Sequence, residues 1–228
     1  MRAEFMVIPG ADGPVLRIDA ATHARREAGR VVEGSILGCT ATGVPLKLPA
    51  TGAMPVFCWS GSYAERDGGS LFDEDPRTWG PKGWAALESG VQMMGERRRE
   101  VVIRTHARHV LSDAPSVRCF VHASWASGVK VFIDPASMLT PGMLAGGFGA
   151  DHLRRLYEGL SSIDPACAAG VLISGADMKD GIVRPCPIER GALPADVVIG
   201  LASGLPDGLP LAVWHERWGD DVAALLAG

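Results

Sequence analysis

The sequence predicts an α/β protein built on a parallel sheet or barrel, and three observations carry that prediction. Apolar runs recur in the second half, each ending in polar residues: VVIRTHARH (101–109), VKVFIDPAS (129–137), GVLISGADMKDG (170–181) and LPLAVWHERW (209–218). Their starts lie about 30 to 40 residues apart, the length of a strand–helix unit, with helical patterns between them. The runs are continuous rather than alternating, as in strands covered on both faces.

Each element has its own signal. PVLRIDAATHARREAGRVVEG (14–34) reads as a strand and then a helix, and the Gly- and Pro-rich stretch 34–53 supports no assignment. MPVFCWSGSY (54–63) is a strand. LFDEDPRTWGPKGWAALESGVQMMGERR (71–98) is a polar loop and then a helix with Trp84, Leu87, Val91 and Met94 facing inward. In SDAPSVRCFVHASWASG (112–128), Val117, Phe120, Val121 and Trp125 share a helical face. Ser112 or Asp113 suits its cap, Pro115 its first turn and Gly128 its end. DHLRRLYEGL (151–160) sets Leu153, Leu156, Tyr157 and Leu160 on one stripe, and ADVVIGLASG (195–204) is a shorter helix stopped by Gly204.

Bulk properties bound the function. At 228 residues the chain is read as a single domain, 1–228, with one sizeable core. Apolar residues are 47% and charged residues 21%, a folded composition. The net charge is −4, and the basic run ERRRE (96–100) is flanked by glutamates, so it reads as a solvated helix end and nucleic acid is not an expected partner. The five cysteines form no C-x-x-C pair, so they are expected to be reduced, mostly buried thiols in a cytoplasmic protein. MRAEFMVIPGADG is not expected to be a signal peptide, and no membrane span is expected, since no run of 18 apolar residues exists.

In parallel sheets, function collects at the carboxyl ends of the strands. Asp134, His106, His109, Asp177, Asp180, His215 and Glu216 all follow apolar runs. If the ends converge, they form a pocket of imidazoles and carboxylates, groups that hold a divalent metal or move protons. Plainer roles stand beside these. Asp134-Pro135 has the form of a turn cap, and Lys179-Asp180 of an exposed turn into Gly181. Trp59 suits the core, or a strand end where it packs on a ligand. His23, His122 and His152 read as surface residues and Cys119 as core. GGFG (146–149), with no strand before it, is a loop and not a phosphate cradle.

Five segments, in order, resemble the sugar phosphate isomerase/epimerase family, the xylose-isomerase-like TIM barrels. RTHARHVL stands where that family has E-p-H-a-g-H-v-L, IDPASMLT for l-D-P-a-N-l-L-t and GADMKDG for a-H-a-K-D. IERGALPADVV stands for the G-r-G-a-l loop and LPLAVWHER for P-l-v-l-E-H. The resemblance covers roughly residues 101–218 and implies a (β/α)8-type TIM barrel. Between VQMMGERRRE and VVIRTHARH there is no room for the strand–helix unit that it implies, so the barrel is expected to be shortened or irregular in its N-terminal half.

Members of the family hold a divalent cation with two glutamates, an aspartate and a histidine. Here the aspartate is Asp134. Arg104 occupies the first glutamate position, Asp177 the histidine position and Trp214 the last glutamate position, with His215 and Glu216 following. A guanidinium repels a cation and suits an anion. Two outcomes are open. A metal (Mn, Mg, Co or Zn) is held by a changed set, Asp134, Asp177 and Glu216 with His106; or there is no metal, and Arg104 pairs with Asp134 or Asp177. The resemblance implies proton transfer next to a carbonyl of a small, polar, oxygen-rich substrate, or related lyase chemistry. Asp134, His106, Lys179 and Glu216 are then the catalytic candidates, and Arg104, His109, Arg190, Trp59 and His215 the substrate-binding ones. The alternative is a non-catalytic relative without its metal site that binds a ligand or partner protein. An endonuclease shares the fold, but the acidic balance argues against it. The expected partner is a small-molecule substrate, with homodimer formation left open.

Overall fold

The computed structural model describes residues 4–7, 13–19, 25–42, 55–95, 100–123, 126, 128–206 and 208–214. Its strands are β1 (Glu4–Val7), β2 (Gly13–Asp19), β3 (Arg25–Ser35), β4 (Val56–Trp59), β5 (Val101–Arg104), β6 (Lys130–Ile133), β7 (Ala168–Ile173), β8 (Gly175–Lys179), β9 (Ile182–Cys186) and β10 (Leu211–Val213). Its helices are α1 (Ile36–Thr42), α2 (Pro81–Gly95), α3 (Ala114–His122), α4 (Pro141–Ala145), α5 (Gly149–Leu160) and α6 (Ala195–Ala202).

The mixed α/β architecture centres on a curled sheet of parallel strands in the order β3-β4-β5-β6-β7-β10. β1 pairs parallel to β10, and β2 runs antiparallel between β1 and β3, so hydrogen bonding closes the ring. The eight strands are therefore not eight strand–helix units: the first three form an antiparallel meander. This corrects the helix expected within 14–34, where the chain instead supplies β3, the neighbour of β4. THARREAG lacks the apolar stripe that would dock a helix, while β3 gives β4 a hydrogen-bonding partner through Arg30↔Val56 and Val31↔Phe57. Gly29 makes the approach close, since a Cβ there would lie 2.6 Å from the Phe57 ring. α1 lies within the stretch that carried no assignment.

Side chains alternate between two cores. Val56, Cys58, Val101, Ile103, Val131, Ile133, Val171 and Ile173 pack outward with Leu87, Val117, Phe120, Leu153 and Tyr157 of the helices. Val31, Phe57, Val102, Phe132, Leu172 and Ala212 form a separate cluster made only of strand residues, with Trp214 against it. That cluster is the barrel interior, where Phe57 and Phe132 meet edge to face at 5.8 Å.

α2, α3, α5 and α6 fall where the sequence places them. Asp113 caps α3 by accepting from Ser116 N–H at 2.7 Å, and Pro115 sits in the first turn. The helix ends at His122, short of Gly128, which turns the chain later with φ 85°. Cys119 is exposed rather than core, because Val117 and Phe120 define the buried face. Among the described residues no helix is long and apolar enough to cross a membrane.

GADMKDGIVRPC departs most from its expected form. Only GVLI continues the barrel; β8 and β9 pair as a hairpin through Lys179↔Ile182. The two loop residues, Asp180 and Gly181, have φ 55° and 69°, as the Asp-Gly turn of a tight hairpin requires. At its base Gly175 and Gly191 meet backbone to backbone, and a Cβ on Gly191 would lie 2.6 Å from Gly175 Cα.

Candidate functional site

The alternation that fills the barrel also aims its last side chains into the mouth. Trp59, Arg104, Asp134 and Ser174 are two residues beyond the interior positions Phe57, Val102, Phe132 and Leu172, and share their facing.

Arg104 is 6% exposed. Its guanidinium carbon lies 4.0 Å from the centroid of the Trp59 ring, and Nη2 lies 4.0 Å from Asp134 Oδ2. Burial lowers its pKa and Asp134 opposes that shift; a guanidinium still keeps its proton at any working pH. Nε is buried with no partner among the described residues.

Asp134 is fully buried and does what the plainer reading allowed. Oδ1 accepts from Ser137 N–H at 3.1 Å and Oδ2 from Ser137 Oγ–H at 2.7 Å, closing the Asp-Pro turn. Its own N–H donates to Thr105 Oγ1 at 2.9 Å. Burial raises its pKa, while Arg104 and then Ser137 pull it back.

The loop after β5 is stitched to its neighbours by backbone bonds. His106 N–H donates to Leu111 C=O, Ala107 N–H to Ser137 C=O and Val110 N–H to Gly61 C=O. It presents two imidazoles, His106 at 3% and His109 at 0% exposure, with ring centroids 4.8 Å apart. Trp59 touches both, at 5.8 and 5.2 Å, and Phe72 stacks on His109 at 5.3 Å.

Hydrogen bonds fix the tautomers. His106 Nδ1 accepts from Arg108 N–H at 3.1 Å, so Nε2 carries the proton. His109 Nε2 lies 3.1 Å from the Leu71 carbonyl, which only accepts, so its Nδ1 holds a lone pair. Among the described residues, His106 Nε2 and His109 Nδ1 are both buried without a partner. Burial first, then the charges of Arg108 and Arg104, push His106 down to about 3, so it is neutral near pH 7. The backbone of Val183 opposes that shift without forming a hydrogen bond to Nε2. Burial, with His106 second, holds His109 well below its ordinary value.

Around Trp59, then, stand a fixed cation with a free Nε–H donor, a neutral imidazole with a free N–H donor and a second imidazole with a free acceptor. Ser174 Oγ, at the end of β7, is a further buried hydroxyl without a partner among the described residues. Each such group left unsatisfied costs about 1–3 kcal/mol. Polar groups of this kind, gathered at the carboxyl ends of parallel strands, mark a place for a polar ligand.

The other sequence candidates lie elsewhere. Asp177 and Lys179 are exposed on the hairpin, and Asp177 Oδ1 accepts from the N–H of Met178. Arg190 is exposed on a short 3-10 turn, Ile188–Arg190. His215 and Glu216 lie outside the described residues. His122 is exposed and His152 half-buried.

Phe72 and Arg108 carried no signal as site residues along the chain. Arg108 Nη1 donates to Phe72 C=O at 2.9 Å, Nη2 to Gly181 C=O at 2.8 Å, and Nε lies 3.2 Å from Glu74 Oε1. It binds the loop after β4 and the tip of the hairpin to the histidine loop. The Asp-Gly pair was the available signal for that hairpin.

Among the described residues, the donors as they stand do not fit a divalent cation. Both Asp134 oxygens are engaged by Ser137 with a guanidinium 4.0 Å away, and His106 Nε2 carries a proton. Among the described residues no three His, Cys, Asp or Glu side chains are grouped to hold a metal ion.

No family model matches the chain, and no curated protein matches it. Among solved structures it is similar to apo 3-keto-D-glucoside 4-epimerase, YcjR, from E. coli, at 10% identity and a TM-score of 0.32. The match covers 75% of this chain and 60% of that one, so the chain spans less than two thirds of the neighbour's length. A likeness of that size decides neither site nor activity.

Proposed function

We propose that the chain is a divergent TIM-type barrel enzyme of the sugar isomerase and epimerase kind, moving a proton next to a carbonyl of a small, oxygen-rich substrate at the Trp59–Arg104–His106 mouth. One observation carries this: buried, uncommitted hydrogen-bonding atoms of opposite sense sit beside a fixed cation. In such a reaction the C–H electron pair becomes a C=C bond and the carbonyl π pair moves onto oxygen. The developing enediolate needs donors already aimed at it. Arg104 Nε–H and His106 Nε2–H fill that role, and His106 suits it because it is neutral and donates without surrendering its proton. His109 Nδ1 is the acceptor for the migrating proton. Asp134 positions Arg104, since Ser137 already engages both of its oxygens.

The test is uptake of solvent deuterium at carbon by a panel of small ketoses and hydroxy-ketones, followed by NMR. The wild-type chain is expected to exchange, with the rate reduced about 10²–10⁴-fold in His109→Gln and Arg104→Met. Exchange that persists unchanged in both variants, or its absence across the panel in folded wild-type protein, overturns the proposal.

A further inference from the structure

A second hollow opens on the outer flank of the mouth, with a volume of about 480 Å³, within the range of small-molecule sites. Neither Arg104, His106 nor His109 lines it. The two places adjoin through the histidine loop, where the Trp79 indole N–H donates to Ala107 C=O at 3.2 Å, and through the turn after β6, where Met138 N–H donates to Asp134 C=O at 3.2 Å.

Its walls are of two kinds. Trp79, 44% exposed, stands with Met138 and Met143 as an apolar surface. Opposite runs one face of α5, where His152, Arg155 and Leu156 follow the i, i+3, i+4 spacing. The helix spends Leu153, Tyr157 and Leu160 on the core, which leaves this second face to the hollow.

The charges are uneven. Arg154 pairs with Asp151 at 2.8 Å, but no ion pair or hydrogen bond engages the Arg155 guanidinium among the described residues. Among the described residues the His152 ring is likewise unengaged. The one carboxylate in the lining, Asp113, is occupied as the cap of α3, accepting from Ser116 N–H.

We infer that this hollow binds a small amphiphilic anion, its flat apolar body against Trp79 and the two methionines and its carboxylate or sulfonate on Arg155. The ligand class follows from complementarity: an indole and two adaptable thioethers accept a flat apolar ring, and an uncommitted guanidinium at the rim selects an anionic oxygen head.

The probe is 8-anilinonaphthalene-1-sulfonate, titrated into the folded chain by fluorescence, with indole-3-acetate and neutral indole as competitors. Saturable binding at one site per chain is expected, displaced by indole-3-acetate and far less by indole. Arg155→Glu, on an exposed helix face, is expected to weaken it by about tenfold or more. Trp79→Ala should act in the same direction, with the circular-dichroism spectrum unchanged in both variants. Non-saturable binding, an affinity within about threefold of wild type in Arg155→Glu, or equal displacement by neutral indole overturns the inference. Arg155, on α5, is not among the residues of the proposed reaction, so Arg155→Glu is expected to keep the wild-type deuterium-exchange rate, and this site and the proposed reaction stand or fall separately.

Discussion

Arg104 carries its charge into the barrel because Trp59 and Asp134 offset part of the desolvation, the first by stacking at 4.0 Å and the second across a loose 4.0 Å pair. Replacing it with Met strands a buried carboxylate supported by Ser137 and the Ala136 backbone but by no opposite charge among the described residues. Arg104→Met should therefore lose roughly 2–3 kcal/mol in urea unfolding, less than a tight buried pair would cost. A variant as stable as wild type would show that Asp134 is already protonated in the native state. The two histidines make stability fall in mild acid. Their folded pKa values are depressed, so below pH 6.5 the unfolded chain binds protons that the folded chain refuses. For His106 stability should drop by about 1.4 kcal/mol per pH unit from there down towards about 3, and His109 should add a loss of the same sign. Asp134, raised in the fold, works the other way: its contribution is full below its unfolded value and fades as pH rises through the folded one. The sign is checked by unfolding at pH 7, 6 and 5, where His106→Asn and His109→Asn should each flatten the slope. The residue types at the mouth were readable from strand ends; their pairings were not, because Trp59 reaches the histidines from the end of β4 and Phe72 from the loop that follows it.

At the scale of elements, the β8–β9 hairpin is held by an Asp-Gly turn at its tip, the Gly175–Gly191 contact at its base and the Arg108 bond to Gly181 C=O. Gly181→Ala forces a Cβ into a left-handed backbone and should cost about 1 kcal/mol of stability, read by thermal melting. Arg108→Ala should leave the fold intact yet speed amide exchange at 176–186, because it releases the hairpin tip together with its bonds to Phe72 and Glu74; unchanged exchange there would mean that the glycine contact suffices. Asp113→Ala removes the α3 cap and should cost about 1 kcal/mol. Helices α3, α5 and α6 were legible because caps and apolar stripes are local signals. The β2–β3 meander was not, since strand pairing is decided by partners far along the chain.

The molecule as a whole rests on two concentric apolar layers fed by the same strands. Phe132 is fully buried against Phe57 inside the ring, where no helix can move in to fill a gap. Phe132→Ala should destabilise by about 3–5 kcal/mol. Because inner and outer layers share strands β4 to β7, tryptophan fluorescence and far-ultraviolet dichroism should report one coincident unfolding transition. Separate transitions would show that the meander β1–β3 unfolds independently of the parallel sheet.

The amino-acid sequence by itself determined the alternation of strands and helices, the helix caps and the polar character of the strand ends, because each is written in neighbouring residues. Only the tertiary structure decided how the ring closes, that Asp134 is spent on Ser137 and Arg104, and which imidazole atoms are left uncommitted. Those depend on which distant backbone or side-chain group arrives within hydrogen-bonding reach, and spacing along a single chain does not encode that arrival.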